Sequence, residues 1–133
     1  MKASGNKWAI RDIDPRITRE YRESVSDYTP PLKDIFFIME NIAGVSDLAG
    51  LDRFSESFDA AMTEPVLEEV ARFMAEVVAP TNVDGDTIMT KWVDGDVITP
   101  DSFKSAYKQY VATEFGSIPF DPTYGGGGFP WVV

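Results

Sequence analysis

The chain has 133 residues, 44% hydrophobic and 26% charged, with a net charge of −10 and a sequence pI near 4.3. That balance suits one globular domain with a real core, and an acidic chain repels phosphodiester backbones, so nucleic-acid binding is not expected. It holds neither cysteine nor histidine, which excludes Cys/His zinc sites, iron–sulfur ligation, cysteine nucleophiles and Ser-His-Asp triads within it.

Any general acid or base here is a carboxylate, a lysine or a tyrosine. No uncharged run approaches the ~18 apolar residues of a membrane span. No secretory signal pattern opens the chain, and a cysteine-free composition fits a cytoplasmic protein. Charge divides unevenly: residues 1–27 hold six basic and five acidic residues, whereas residues 28–133 hold six basic and seventeen acidic. Residues 1–27 read as a mixed-charge arm, and the acids in "KWAIRDIDPRITREYRESVSD" argue against a mitochondrial presequence.

The first patterned helix is "PPLKDIFFIMENIAGV", entered at Pro30 and Pro31 and stopped at Gly44. Ile35, Met39 and Ile42 predict one core stripe, with Phe36 and Ala43 beside it. Phe37 and Ile38 widen the apolar arc until the helix calls for burial on more than one side. A short helix interrupted at Gly50 is expected in "DLAGLDRFSESFDAAM".

"TEPVLEEVARFMAEVVAP" reads as a helix capped by Thr63, with Pro65 in its first turn and Pro80 ending the regular pattern. Val66, Val70, Phe73 and Val77 form its stripe, and Glu68 pairs with Arg72 at i, i+4. Asn82, Asp84 and Asp86 have the alternate spacing of a calcium loop, but Thr87 stands where glycine is needed and Val93 where a bidentate Glu is needed. Asp-Gly also has a simpler use as turn chemistry, and no metal site is expected. "IMTKWVDGDVIT" predicts a β-hairpin turning at Asp94-Gly95. "TPDSFKSAYKQYVATEFG" predicts a helix capped by Thr99 and stopped at Gly116, with Phe103, Tyr107 and Tyr110 facing a core.

The chain closes on "DPTYGGGGFPWVV". A dinucleotide-type phosphate loop needs a preceding strand, which is missing, and Walker-A chemistry needs Lys-Ser/Thr where Phe129-Pro130 stands. The remaining expectation is structural: Gly125 to Gly128 take positive backbone angles beside something bulky, and "PWVV" begins a helix at Pro130.

Four segments in order, "YTPPLKDIFFIMENIAGV", "LEEVARFMAEVVAPTNVDGD", "VITPDSFKSAYKQYV" and "DPTYGGGGFPWVV", resemble the N-terminal region of acyl-CoA dehydrogenases, most of all the subgroup of 3-methylmercaptopropionyl-CoA dehydrogenases. The combinations Ala79-Pro80-x-Asn82-x-x-Gly85-Asp86 and Tyr124-Gly125-Gly126-x-Gly128-x-Pro130 carry most of that likeness. The resemblance runs from about Tyr28 to the end. It implies a mainly α fold: a partial helical bundle with one small β-hairpin, residues 28–133 being an incomplete N-terminal helical domain.

The resemblance further implies a flavoenzyme that introduces a double bond into an acyl-CoA thioester, with FAD accepting hydride and a carboxylate taking the α-proton. In that family the middle and C-terminal domains supply the base and the main flavin contacts. No catalytic or cofactor-binding residue carries over, and no FAD is expected on this chain alone. The resemblance leaves Tyr124, Gly125, Gly126 and Gly128 as candidate acyl-CoA-side residues. The implied partners are the missing domains, on the same or another chain, and further copies in a homo-oligomer. A stand-alone helical interaction module that kept the fold and lost the chemistry is the alternative expectation.

Overall fold

The computed structural model describes residues 28–133, so the mixed-charge arm of residues 1–27 lies outside the described residues. The architecture is mainly helical with one two-stranded antiparallel hairpin, as the sequence predicts. In chain order it comprises α1 (Leu32–Asn41), α2 (Val45–Ala49), α3 (Thr63–Phe73), α4 (Thr81–Thr87), β1 (Lys91–Val93), β2 (Asp96–Ile98) and α5 (Asp101–Thr113). Among the described residues no helix is long and apolar enough to cross a membrane.

The stop at Gly44 holds: the residue sits at φ 65°, in the left-handed region, and turns the chain from α1 into α2. Only part of the expected α1 stripe is core. Met39 is buried and Ile35 packs against it, with Val45 and Phe58 completing the centre. Ile42 is 73% exposed instead: it lies just past the helix end at Asn41, outside the buried cluster around Met39. Phe37 and Ile38 are exposed too, so the broad apolar arc read from the sequence has a neighbour on one side only.

Thr63 does not cap α3. Asp59 does the capping one step earlier, accepting from the Ala61 amide at 2.9 Å at the start of a short 3-10 turn, Ala60–Met62, that runs straight into the helix. Thr63 is the helix's first residue, buried, with its hydroxyl unpartnered. Arg72 pairs with Glu69 rather than Glu68, at 2.6 Å to each carboxylate oxygen, and that carboxylate raises the guanidinium pKa above its ordinary value. Of the predicted stripe, Phe73 is buried and Val66, Val70 and Val77 are half-buried, and Ala71 is buried beside them.

The regular α pattern does end before Pro80, although the chain keeps a helical course through it. Residues Met74–Val78 form a π turn in which the Ala79 amide reaches back to the Met74 carbonyl at 2.8 Å. A proline lacks the N–H of a regular helix and its ring collides with the carbonyl four residues earlier, and an expanded turn relieves both problems. The chain then continues as α4, so Asp84-Gly85 is helical rather than a turn. Helical geometry puts Asn82, Asp84 and Asp86 on alternating sides of α4, which dismantles the calcium-loop spacing. Gly85 has a packing role: a Cβ there would fall 2.9 Å from Cζ of Phe103 on α5.

The hairpin forms at the predicted place. Val93 pairs with Asp96 around Asp94 and Gly95, whose φ values of 50° and 94° make a type I′ turn. In α5, Pro100 rather than Thr99 occupies the N-cap position, and the helix stops at Glu114 in the left-handed region (φ 60°), two residues before Gly116. The expected aromatic core face is not one. Tyr110 is half-buried against Phe73, whose ring also meets Phe115 edge-on at 5.7 Å, but Tyr107 is 67% exposed and Phe103 lies at the surface.

Candidate functional site

Beyond α5 the chain makes a compact loop from Ser117 to Phe129, and its construction decides what the glycine run can do. Asp121 starts it: its carboxylate accepts from the Thr123 amide at 2.7 Å, Pro122 takes the next position, and Pro122–Tyr124 form one 3-10 turn. Gly125, at φ 83°, ends that turn. The strand that a phosphate loop requires is absent; in its place the glycines fold back on residues 117–120.

Every amide of the run is already donated within the chain. Gly125 N–H bonds the Pro122 carbonyl at 3.0 Å, Gly126 bonds Asp121 at 3.1 Å, Gly127 bonds Ser117 at 3.1 Å and Gly128 bonds Phe120 at 2.8 Å. Phe129 N–H completes the series on the Ile118 carbonyl at 3.1 Å. An anion cradle needs convergent, unspent N–H groups, and these amides have none to offer.

The expectation of positive angles throughout the run holds for Gly125 and Gly128 (φ 71°) alone. Gly126 and Gly127 are required for contact instead. A Cβ on Gly126 would overlap the carbonyl oxygen of Phe120, and one on Gly127 would fall 2.8 Å from that of Ile118. Gly128 presses on Ser57, whose hydroxyl donates to the Gly128 carbonyl at 3.2 Å and ties the loop to the segment after α2. Phe129 enters the core edge-on to Phe58, with ring centres 4.9 Å apart. "PWVV" forms a single turn, closed by Val133 N–H on the Pro130 carbonyl at 3.0 Å.

The four candidate residues therefore do not converge. Tyr124 projects into solvent, 88% exposed. Gly125 lines a shallow hollow of about 280 Å³ beside Tyr110 and Glu114, and Gly128 lines a larger cleft of about 520 Å³ on the other side. Gly126 borders neither and serves the loop itself.

The larger cleft runs between the segment after α2 and the loop, walled by Phe54, Phe129 and Trp131 with Arg53 and Asp121 among its polar groups. The Arg53 guanidinium lies 5.7 Å from the centre of the Phe54 ring. Hydrogen bonding by Thr123, from its side chain and its amide, holds the Asp121 carboxyl below the usual carboxylate range, with a smaller pull from Arg53. Sequence reasoning missed Arg53, Asp121 and Trp131 because they meet only when the loop closes on Ser57. Among the described residues no group of three or more carboxylates gathers to hold a metal ion.

No family model matches the chain, and no solved structure matches it significantly. One curated relative does: 3-methylmercaptopropionyl-CoA dehydrogenase of Ruegeria pomeroyi is 33% identical over 106 residues, 80% of this chain and 18% of the relative. The chain thus spans less than a fifth of the length of the relative it matches. By sequence it is similar to an acyl-CoA dehydrogenase over most of its length, and its helical fold with a single hairpin is consistent with the N-terminal helical domain of one.

Proposed function

We propose that residues 28–133 are an incomplete N-terminal helical domain of a cytoplasmic, FAD-dependent acyl-CoA dehydrogenase, which introduces an α,β double bond into an acyl-CoA thioester. The observation that carries this reading is the 33% identity over 106 residues to an enzyme of that kind. When bound, FAD supplies the hydride acceptor. The described residues do not fit that cofactor: the glycine amides that would face a pyrophosphate are spent on carbonyls of the chain itself. Flavin contacts and the base belong to polypeptide beyond these residues, on the same chain or on a partner in a homo-oligomer.

The role left to this part is to wall the acyl-CoA. Gly125 and Gly128 give the loop its shape, Gly126 lets it pack on Phe120, and Tyr124 is the side chain free to touch a ligand. Replacing Gly126 tests folding rather than binding. Tyr124→Ala is the cleaner probe of the site: a several-fold rise in KM for the acyl-CoA at unchanged kcat supports the wall, and an unchanged KM removes Tyr124 from it.

The native gene product tests the larger reading. A protein of the relative's length that purifies with stoichiometric flavin, reducible by an acyl-CoA thioester, is the expected result. A product that ends near residue 133 and binds neither flavin nor acyl-CoA would favour a stand-alone interaction module, for which the exposed Phe37, Ile42 and Trp131 provide an apolar surface.

A further inference from the structure

The hairpin is the element least supported by the rest of the described chain. All six residues of β1 and β2 are exposed, and no described helix makes more than slight contact with them. A lone two-stranded ribbon is marginal in water; three or more strands, or a helix packed on one face, are needed to hold it. Yet its turn is built with care, with both central residues in the left-handed region.

Directly opposed residues of an antiparallel pair share a face, so Trp92 and Val97 lie side by side, 73% and 67% exposed. Pairs alternate between those that exchange both backbone hydrogen bonds and those that exchange none. In a two-residue hairpin the closing pair, Val93 and Asp96, exchanges both. Trp92 and Val97 are then the non-bonded pair, and their N–H and C=O groups point outward to the two free edges.

We propose that β1 pairs edge to edge, antiparallel, with β1 of a second copy of this chain, Trp92 lying opposite its own counterpart on the two-fold axis. The two tryptophans then exchange both backbone bonds, and the ribbon becomes four-stranded. One face gains a continuous apolar row running Val97, Trp92, Trp92 and Val97 across the two copies. Charge selects this edge over the other. The register brings Lys91 of each copy within reach of Asp94 at the tip of the other, an isologous and closed contact. The β2 edge offers Asp96 and runs into Pro100 and Asp101, so pairing there would gather like charges beside a residue that cannot donate.

Sedimentation equilibrium of the full 133-residue chain tests it, with two proline variants. Trp92→Pro removes an N–H that only the second copy uses, and Val97→Pro removes its equivalent on the opposite edge. The expected result is a wild-type dimer, loss of the dimer in Trp92→Pro, and its retention in Val97→Pro. A wild-type monomer at every concentration, which would leave the edge to another partner, overturns the proposal, as does a Trp92→Pro dimer of undiminished affinity or equal loss in both variants. Hydrogen exchange keeps the test sound if a variant misfolds: in the wild type the Trp92 amide gains protection as concentration rises, and an amide that exchanges at the same rate throughout also overturns it.

Discussion

Gly126 rests against Phe120 so closely that a Cβ on it would overlap the Phe120 carbonyl oxygen, while its own amide bonds Asp121. The neighbour is backbone, already held by Gly128 N–H on the same carbonyl, so it has little freedom to retreat. Gly126→Ala is expected to destabilise the chain by about 2–3 kcal/mol in urea unfolding. Gly125 has open space around its missing Cβ and only its φ of 83° to defend, so Gly125→Ala should cost about 1 kcal/mol. Equal losses in the two variants would contradict the loop packing described above.

Met39 on α1 and Ile42, just past its end, lie three residues apart and read alike in sequence, but their surroundings differ. Met39→Ala, in the buried cluster with Val45 and Phe58, should cost about 2–4 kcal/mol. Ile42→Ser, at a largely exposed position, should stay within about 0.5 kcal/mol. Thermal or urea unfolding compares them directly, and a large loss at Ile42 would mean that its face is covered.

Alanine in place of a helical glycine ordinarily gains about 1 kcal/mol. At Gly85 the new Cβ would press on the Phe103 ring, 2.9 Å away at Cζ, so most of that gain is expected to vanish. It should return when Phe103 is shortened. A double-mutant cycle of Gly85→Ala with Phe103→Leu is expected to give a favourable coupling of about 0.5 kcal/mol or more. Simple additivity would mean that α4 and α5 do not meet at this contact.

Asp121 has a folded pKa depressed by hydrogen bonding from Thr123, with a smaller contribution from Arg53. A depressed carboxylate contributes stability that is fully present above its unfolded pKa, about 3.9, and is lost as pH falls through the folded value. Unfolding at a series of acidic pH values should therefore show wild type and Asp121→Asn converging as the pH drops below that range. A gap of constant size down to the most acidic point would show that the charge on Asp121 plays no part in holding the loop.

Much of the fold follows from local chemistry. The left-handed stop at Gly44, the Asp94-Gly95 turn, the hydrophobic stripe of α3 and the helix after Pro100 depend on residues close in sequence, whose torsional and periodic preferences act whatever surrounds them. The likeness to acyl-CoA dehydrogenases was legible for the same reason, in ordered segments with their own spacing.

Other features depended on partners far along the chain. Which faces of α1 and α5 are buried turns on neighbours that periodicity cannot name, so Ile42 and Tyr107 lie in solvent despite fitting a core stripe. Pro80 reads as a terminator because its local effect is to break a helix; continuation into α4 needed a π turn and the docking of Gly85 on Phe103. The glycine run, taken alone, offers flexible amides. Ser117, Ile118, Phe120 and Asp121 take those amides up only once the loop closes and Ser57 pins it, and that long-range closure left Arg53, Asp121 and Trp131 around one cleft.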